Sequence, residues 1–190
     1  MQLEGRMEKR NSNLNIPNTL SAIRVLLVPV VIWLIAKDRM IPALIVFLIA
    51  CLTDILDGYI ARTYDMKTRL GNYLDPFADK LMAVSVLLTF AIRGIIPFFV
   101  VIVLAVKELV MLIAGVLLIK NGHTVPSNTF GKIAAFMLNA SIASGFLYQY
   151  IAPYYLYAIY VSLVFVVAAL VQYAAKHIKK CFVKAEDMDL

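Results

Sequence analysis

The chain has 190 residues, 62% of them hydrophobic and 16% charged, with a formal net charge of +6 and a mean hydropathy of +0.84. That balance excludes a water-soluble domain and marks an integral membrane protein. Strand-like alternation is absent, so the backbone must satisfy itself in lipid as helices; the expected fold is all-α, a six-transmembrane-helix bundle with both termini cytosolic.

Residues 1–17 mix Leu3 and Met7 with charges and end in NIPN, a segment that suits either a loose cytosolic tail or an amphipathic helix on the membrane surface. Pro17 and Asn18 fit a helix start. Apolar runs near the length a helix needs to cross a bilayer, about 20 residues, follow at 18–36, 42–62, 71–93, 95–118, 129–150 and 153–175. The first is too long for a signal-peptide core and no small-residue cleavage site follows it, so it is expected to be retained. Together these spans, residues 18–175, are expected to form one six-helix membrane domain.

Short loops rich in Lys and Arg stay in the cytosol. With the N-terminus inside, Arg6, Lys9, Arg10, Arg62, Lys67, Arg69, Lys120, Lys176, Lys179, Lys180 and Lys184 are cytosolic, against Lys37, Arg39 and Arg93 outside. A basic rim beside anionic headgroups accounts for the net charge, with no nucleic acid partner. Between the fourth and fifth spans, NGHTVPSNTFG carries a solvated His123, and Asn128 or Ser127 is placed to cap the fifth helix. Tyrosines from Tyr148 to Tyr160 fit an interfacial aromatic belt. Residues 176–190 read as a basic then acidic cytosolic tail. Cys51 lies inside a span and Cys181 in that tail, so no disulfide is expected.

The second and third spans also carry Asp54, Asp57, Asp75 and Asp79. Spacings of three and four put each pair on one helix face. The short cytosolic connection from Thr63 to Leu70 makes the two helices antiparallel, and Asp54 and Asp79 each lie roughly 12 Å from their own helix end, so the two pairs can face each other at matching depth. An ionised aspartate costs roughly 2.5–3.5 kcal/mol at a bilayer centre, so four of them need an offset. Arg62 and Lys80 are nearby cations, but two cations do not neutralise four anions. Oxygen donors favour hard ions, and the expected cofactors are two Mg²⁺ or Mn²⁺ ions held by Asp54, Asp57, Asp75 and Asp79. The alternative is that the aspartates are only paired or water-exposed at helix ends.

Gly58, Gly71 and Ala61 leave a small-residue face between the acids, where a ligand or a neighbouring backbone can approach. Pro76 marks either a helix first turn capped by Asp75 or a position inside a longer span. A different reading of the same acids is the ion pathway of a small cation transporter. It predicts acids spread through the membrane depth, whereas here they gather near one face. A non-catalytic scaffold leaves them unexplained.

Asp54, Asp57, Gly58, Ala61, Arg62, Gly71, Asp75 and Asp79 reproduce D-x2-D-G-x2-A-R-x8-G-x3-D-x3-D without a departure. This is similar to the signature of the CDP-alcohol phosphatidyltransferases. The resemblance implies transfer of a phosphatidyl group from CDP-diacylglycerol to an alcohol with release of CMP, by a plasma-membrane enzyme whose site faces the cytosol. It implies Asp54, Asp57 and Asp75 as metal ligands, Asp79 as both metal neighbour and catalytic base, and Gly58, Ala61, Arg62 and Gly71 against the CDP group. It also implies a homodimer. Within the family, NIPNTLSAIRVLLVP and the pair Gly131 and Lys132 resemble the branch that uses sn-glycerol 3-phosphate. That branch more often has Arg before the glutamate of the fourth span, where this chain has Lys107 and Glu108. Inositol phosphate, serine and phosphatidylglycerol are the other acceptors. An acceptor bearing a phosphate needs cations, and Lys132, Lys107 and Arg24 lie toward the cytosolic half of their spans.

Overall fold

A computed structural model describes residues 16–63, 71–120 and 129–186, with side chains over 19–56, 63, 77–116 and 129–175. The described residues are helical, without a strand: α1 Ile16–Ala36, α2 Met40–Thr63, α3 Gly71–Ile92, α4 Phe98–Lys120, α5 Thr129–Phe146, the single turn α6 Tyr148–Ile151, and α7 Tyr154–Glu186. Within them, Thr19–Ala36, Phe98–Val116 and Tyr154–Ala175 are long and apolar enough to cross a bilayer, and Met40–Leu56 is a shorter apolar helix. Outward faces carry exposed Leu26, Trp33, Ile45, Leu52, Phe136 and Val164, as expected where lipid rather than water is the solvent.

Each expected span coincides with a helix, and the differences lie at the ends. The fifth stops at Phe146 and is followed by α6, while the last runs on past Ala175 to Glu186. That extension, KHIKKCFVKAE, holds neither Gly nor Pro and is rich in good helix formers, so nothing in it ends the helix. Pro76 falls inside α3, past its first turn. Lacking an N–H, it leaves the carbonyl of residue 72 without its helical donor. Residues 1–15, and with them the interfacial segment, lie outside the described residues, as do Ser127, Asn128 and His123.

Two helix ends close in the same way. At the end of α1, Asp38 N–H donates to Ile35 O at 3.0 Å and Arg39 N–H to Leu34 O at 2.9 Å. At the end of α3, Gly94 N–H donates to Ala91 O at 3.0 Å and Ile95 N–H to Phe90 O at 2.9 Å. The left-handed residues are Asp38, φ 61°, and Gly94, φ 70°. These paired bonds satisfy last-turn carbonyls that lipid would leave bare.

The chain divides into two compact units, Met1–Val86 and Leu87–Leu190. In the first, α1 packs on α2. The buried residues of α1 are Ser21, Arg24, Val28, Val31 and Ile35, and those of α2 are Met40, Ala43, Phe47 and Ala50. Both sets step by three and four, the seam of two helices packed side by side. In the second unit, α7 packs on α5 and α4. Ser141 Oγ of α5 lies 2.9 Å from Ser162 Oγ of α7, a buried hydroxyl pair across the interface. Tyr155 Oη donates to Ile95 O at 2.9 Å, fastening the start of α7 to the turn before α4. Phe90 meets Phe146 edge to face, with centroids 4.9 Å apart.

Candidate active site

The site is built at the end of the α1–α2 seam. The stripe Met40, Ala43, Phe47, Ala50 on α2 continues by the same steps to Asp54, and the stripe Ile35, Val31, Val28 on α1 continues to Arg24 and Ser21. Where the apolar seam stops, the charges meet: Arg24 Nη1 lies 2.9 Å from Asp54 Oδ1. That contact fixes the antiparallel register. Counting outward from it places Val28 level with Ala50, Val31 with Phe47 and Ile35 with Ala43. One step the other way, Ser21 stands level with Asp57.

Burial of the pair is uneven, with the Arg24 side chain 1% exposed and that of Asp54 41% exposed. A guanidinium withdrawn from solvent needs a fixed anion beside it, and Asp54 supplies it while keeping a face open to ligand. Asp79 follows fully buried Ala78 on α3 and is itself half-buried. The charges of Asp79, Asp54 and Arg24 all bear on the thiol of Cys51, one turn before Asp54. Carboxylates from α2 and α3 thus share one neighbourhood within the first unit.

Asp57, Gly58, Ala61 and Arg62 fall on the last turns of α2, and Gly71 and Asp75 on the first turns of α3. Their side chains lie outside the described residues. Among the described residues no three His, Cys, Asp or Glu side chains stand close enough to hold a metal. The described donors are nonetheless of the right kind for a hard dication: Asp54 and Asp79 offer oxygen, and both are partly accessible.

The cations expected near an acceptor phosphate are differently engaged. Arg24 is directed at Asp54. Lys107 Nζ is bound to Glu108 Oε1 at 2.6 Å on α4. Lys132 is exposed in the first turns of α5. The partnership of Arg24 with Asp54 was not among the sequence expectations, which looked to Arg62 and Lys80. A signal for it exists: residues 24 and 54 stand equally far, fifteen positions, from Arg39 in the tight turn between α1 and α2. In a helical hairpin, residues equidistant from the turn are level.

Residues 14–173 match the CDP-alcohol phosphatidyltransferase family. Among curated proteins, the chain is 31% identical over 133 residues to a CDP-diacylglycerol–glycerol-3-phosphate 3-phosphatidyltransferase of Aquifex aeolicus (strain VF5), covering 69% of this chain and 75% of that one. A Bacillus subtilis (strain 168) protein of the same name is 33% identical over 134 residues, 63% of this chain and 69% of its own. A cardiolipin synthase (CMP-forming) of Streptomyces coelicolor is 36% identical over 132 residues, 66% of this chain and 61% of its own.

Proposed function

This chain belongs to the CDP-alcohol phosphatidyltransferase family, and from that premise we propose that it transfers the phosphatidyl group of CDP-diacylglycerol to sn-glycerol 3-phosphate, giving phosphatidylglycerophosphate and CMP. The observation that carries the reading is the complete eight-position signature on α2 and α3, with its outermost acids, Asp54 and Asp79, in one neighbourhood. The acceptor is supported by the names of the Aquifex and Bacillus relatives.

In this reading the acceptor hydroxyl gives its proton to Asp79 as its oxygen attacks the phosphorus that carries diacylglycerol. The bond from that phosphorus to the bridging oxygen breaks, and CMP leaves with that oxygen on its phosphate. General-base help of this kind contributes about 10²- to 10⁴-fold. Asp54, Asp57, Asp75 and Asp79 hold two Mg²⁺ or Mn²⁺ ions, whose chemistry when bound is to neutralise charge gathering on the diphosphate. Gly58, Ala61, Arg62 and Gly71 take the CDP group, the small residues giving room and the guanidinium a charge for its phosphates. Lys132, exposed at the start of α5, meets the acceptor phosphate; Lys107 joins it only by loosening its hold on Glu108.

We place the enzyme in the plasma membrane, as the resemblance implies, with six spans as its apolar runs suggest and with both termini and the site on the cytosolic side on the strength of its Lys and Arg distribution. A homodimer is part of the same proposal and rests on the family resemblance. The Streptomyces relative favours a second reading in which the acceptor is phosphatidylglycerol. Purified protein with labelled CDP-diacylglycerol, Mg²⁺ and a panel of glycerol 3-phosphate, phosphatidylglycerol, inositol phosphate and serine separates them. Labelled phosphatidylglycerophosphate with CMP release is the expected result; cardiolipin from phosphatidylglycerol alone would replace the first acceptor with the second.

A further inference from the structure

We propose that Arg24 is a positioning residue for the aspartate site: its guanidinium holds Asp54 in the orientation from which that carboxylate takes up a dication. The inference rests on the reading of Asp54 as a metal ligand. Three features of the first unit carry it. Arg24 is 1% exposed, so its charge is withdrawn from solvent and requires a fixed anion. Asp54 is such an anion, its Oδ1 2.9 Å from Arg24 Nη1. Both residues also continue the packed stripes of α1 and α2, with Val28, Val31 and Ile35 buried on one side and Ala43, Phe47 and Ala50 on the other. The seam sets the place of the pair, most tightly for the buried Arg24.

Two effects of the guanidinium oppose each other. Its charge repels an arriving dication, and its contact pre-orders the carboxylate that receives one. Asp54 is 41% exposed, so the repulsion is weaker than at a fully buried carboxylate, whereas orientation is imposed by packing and is not screened. Orientation therefore dominates, as it does for the outer hydrogen-bond partners of ligating side chains in general. When no dication is bound, the same guanidinium supplies part of the positive charge that clustered acids require.

An acceptor-phosphate ligand and a positioning residue leave different signatures, and Mn²⁺ affinity distinguishes them without turnover. Full-length protein in nanodiscs is titrated with Mn²⁺, the free ion being read by its electron paramagnetic resonance, and the KM for glycerol 3-phosphate is measured at saturating Mn²⁺. Arg24→Gln is expected to weaken Mn²⁺ binding by about 10- to 100-fold while leaving the acceptor KM within about twofold. Arg24→Lys keeps the charge without the planar fork and is expected to fall between. Unchanged or tighter Mn²⁺ binding in these variants overturns the proposal, as does a raised acceptor KM at unchanged Mn²⁺ affinity. Should Arg24→Gln fail to give a monodisperse protein, Arg24→Lys decides alone, with a loss of Mn²⁺ affinity supporting the proposal and no loss overturning it. Wild-type protein that binds no Mn²⁺ ends the metal reading and this inference together. Binding lost in Asp57→Asn but kept in Arg24→Gln ends this inference alone.

Discussion

Asp79 and Lys132 carry the two residue-level expectations that separate chemistry from acceptor binding. Asp79→Asn keeps the size of the side chain and removes its basicity; turnover is expected to fall by at least about 10²-fold, with an unchanged elution profile and helical circular dichroism. Wild-type turnover in that variant would dismiss Asp79 as the base. Lys132→Ala removes an exposed charge from α5, so the fold is spared. If Lys132 meets the acceptor phosphate, its loss raises the KM for glycerol 3-phosphate by about tenfold, the scale of one charge-assisted hydrogen bond, and barely moves that for CDP-diacylglycerol. The aspartates were legible from sequence because an acid in an apolar run is conspicuous whatever surrounds it. The role of Arg24 was not, since an arginine about two turns inside a span reads equally as a side chain reaching for headgroups. Only the register across the hairpin shows which acid it meets.

At the scale of elements, two glycines of the second unit should resist substitution for opposite reasons. A Cβ on Gly94 meets nothing within 4 Å, but the residue sits at φ +70°. Gly94→Ala is therefore expected to cost about 1 kcal/mol through backbone strain alone. At Gly145 the obstacle is space, for a Cβ would stand 2.7 Å from Phe90 Cε2, and that ring is fully buried and set edge-on to Phe146. Gly145→Ala is expected to cost about 1–3 kcal/mol, and shortening the obstacle with Phe90→Leu should recover part of it. Thermal unfolding in detergent checks both; a neutral Gly145→Ala would mean that the ring yields freely. The Ser141–Ser162 pair is worth less, about 0.6 kcal/mol by the scale of such bonds in membranes, and a double-mutant cycle with alanine measures it. Helix positions followed from run length in the sequence. The break at Phe146 did not, because Phe-Leu-Tyr-Gln-Tyr-Ile is apolar and aromatic enough to continue a span.

Across the whole molecule, hydropathy made the helical membrane class plain, and among the described residues each expected run lies on helix, the fifth interrupted after Phe146. Sidedness is a matter of charge outside the apolar runs and has its own test. In a Cys51→Ser background, Cys181 is the remaining thiol. A membrane-impermeant maleimide is expected to label it in inverted vesicles and to spare it in intact cells. Labelling from the outside would reverse the orientation proposed above. Family membership narrows the chemistry to that of the CDP-alcohol phosphatidyltransferases, whereas the acceptor proposed above was read from a few cations at the helix ends, where composition and hydropathy are silent.

The length of α7 has a practical corollary. A helix from Tyr154 to Glu186 is about 50 Å long at about 1.5 Å per residue, well beyond the roughly 30 Å of hydrocarbon it has to traverse. Its far end is a stiff mast. A soluble partner spliced in helical phase onto that mast, with no intervening linker, would be held at a defined angle clear of the micelle, giving so small an enzyme the rigid fiducial that single-particle imaging needs.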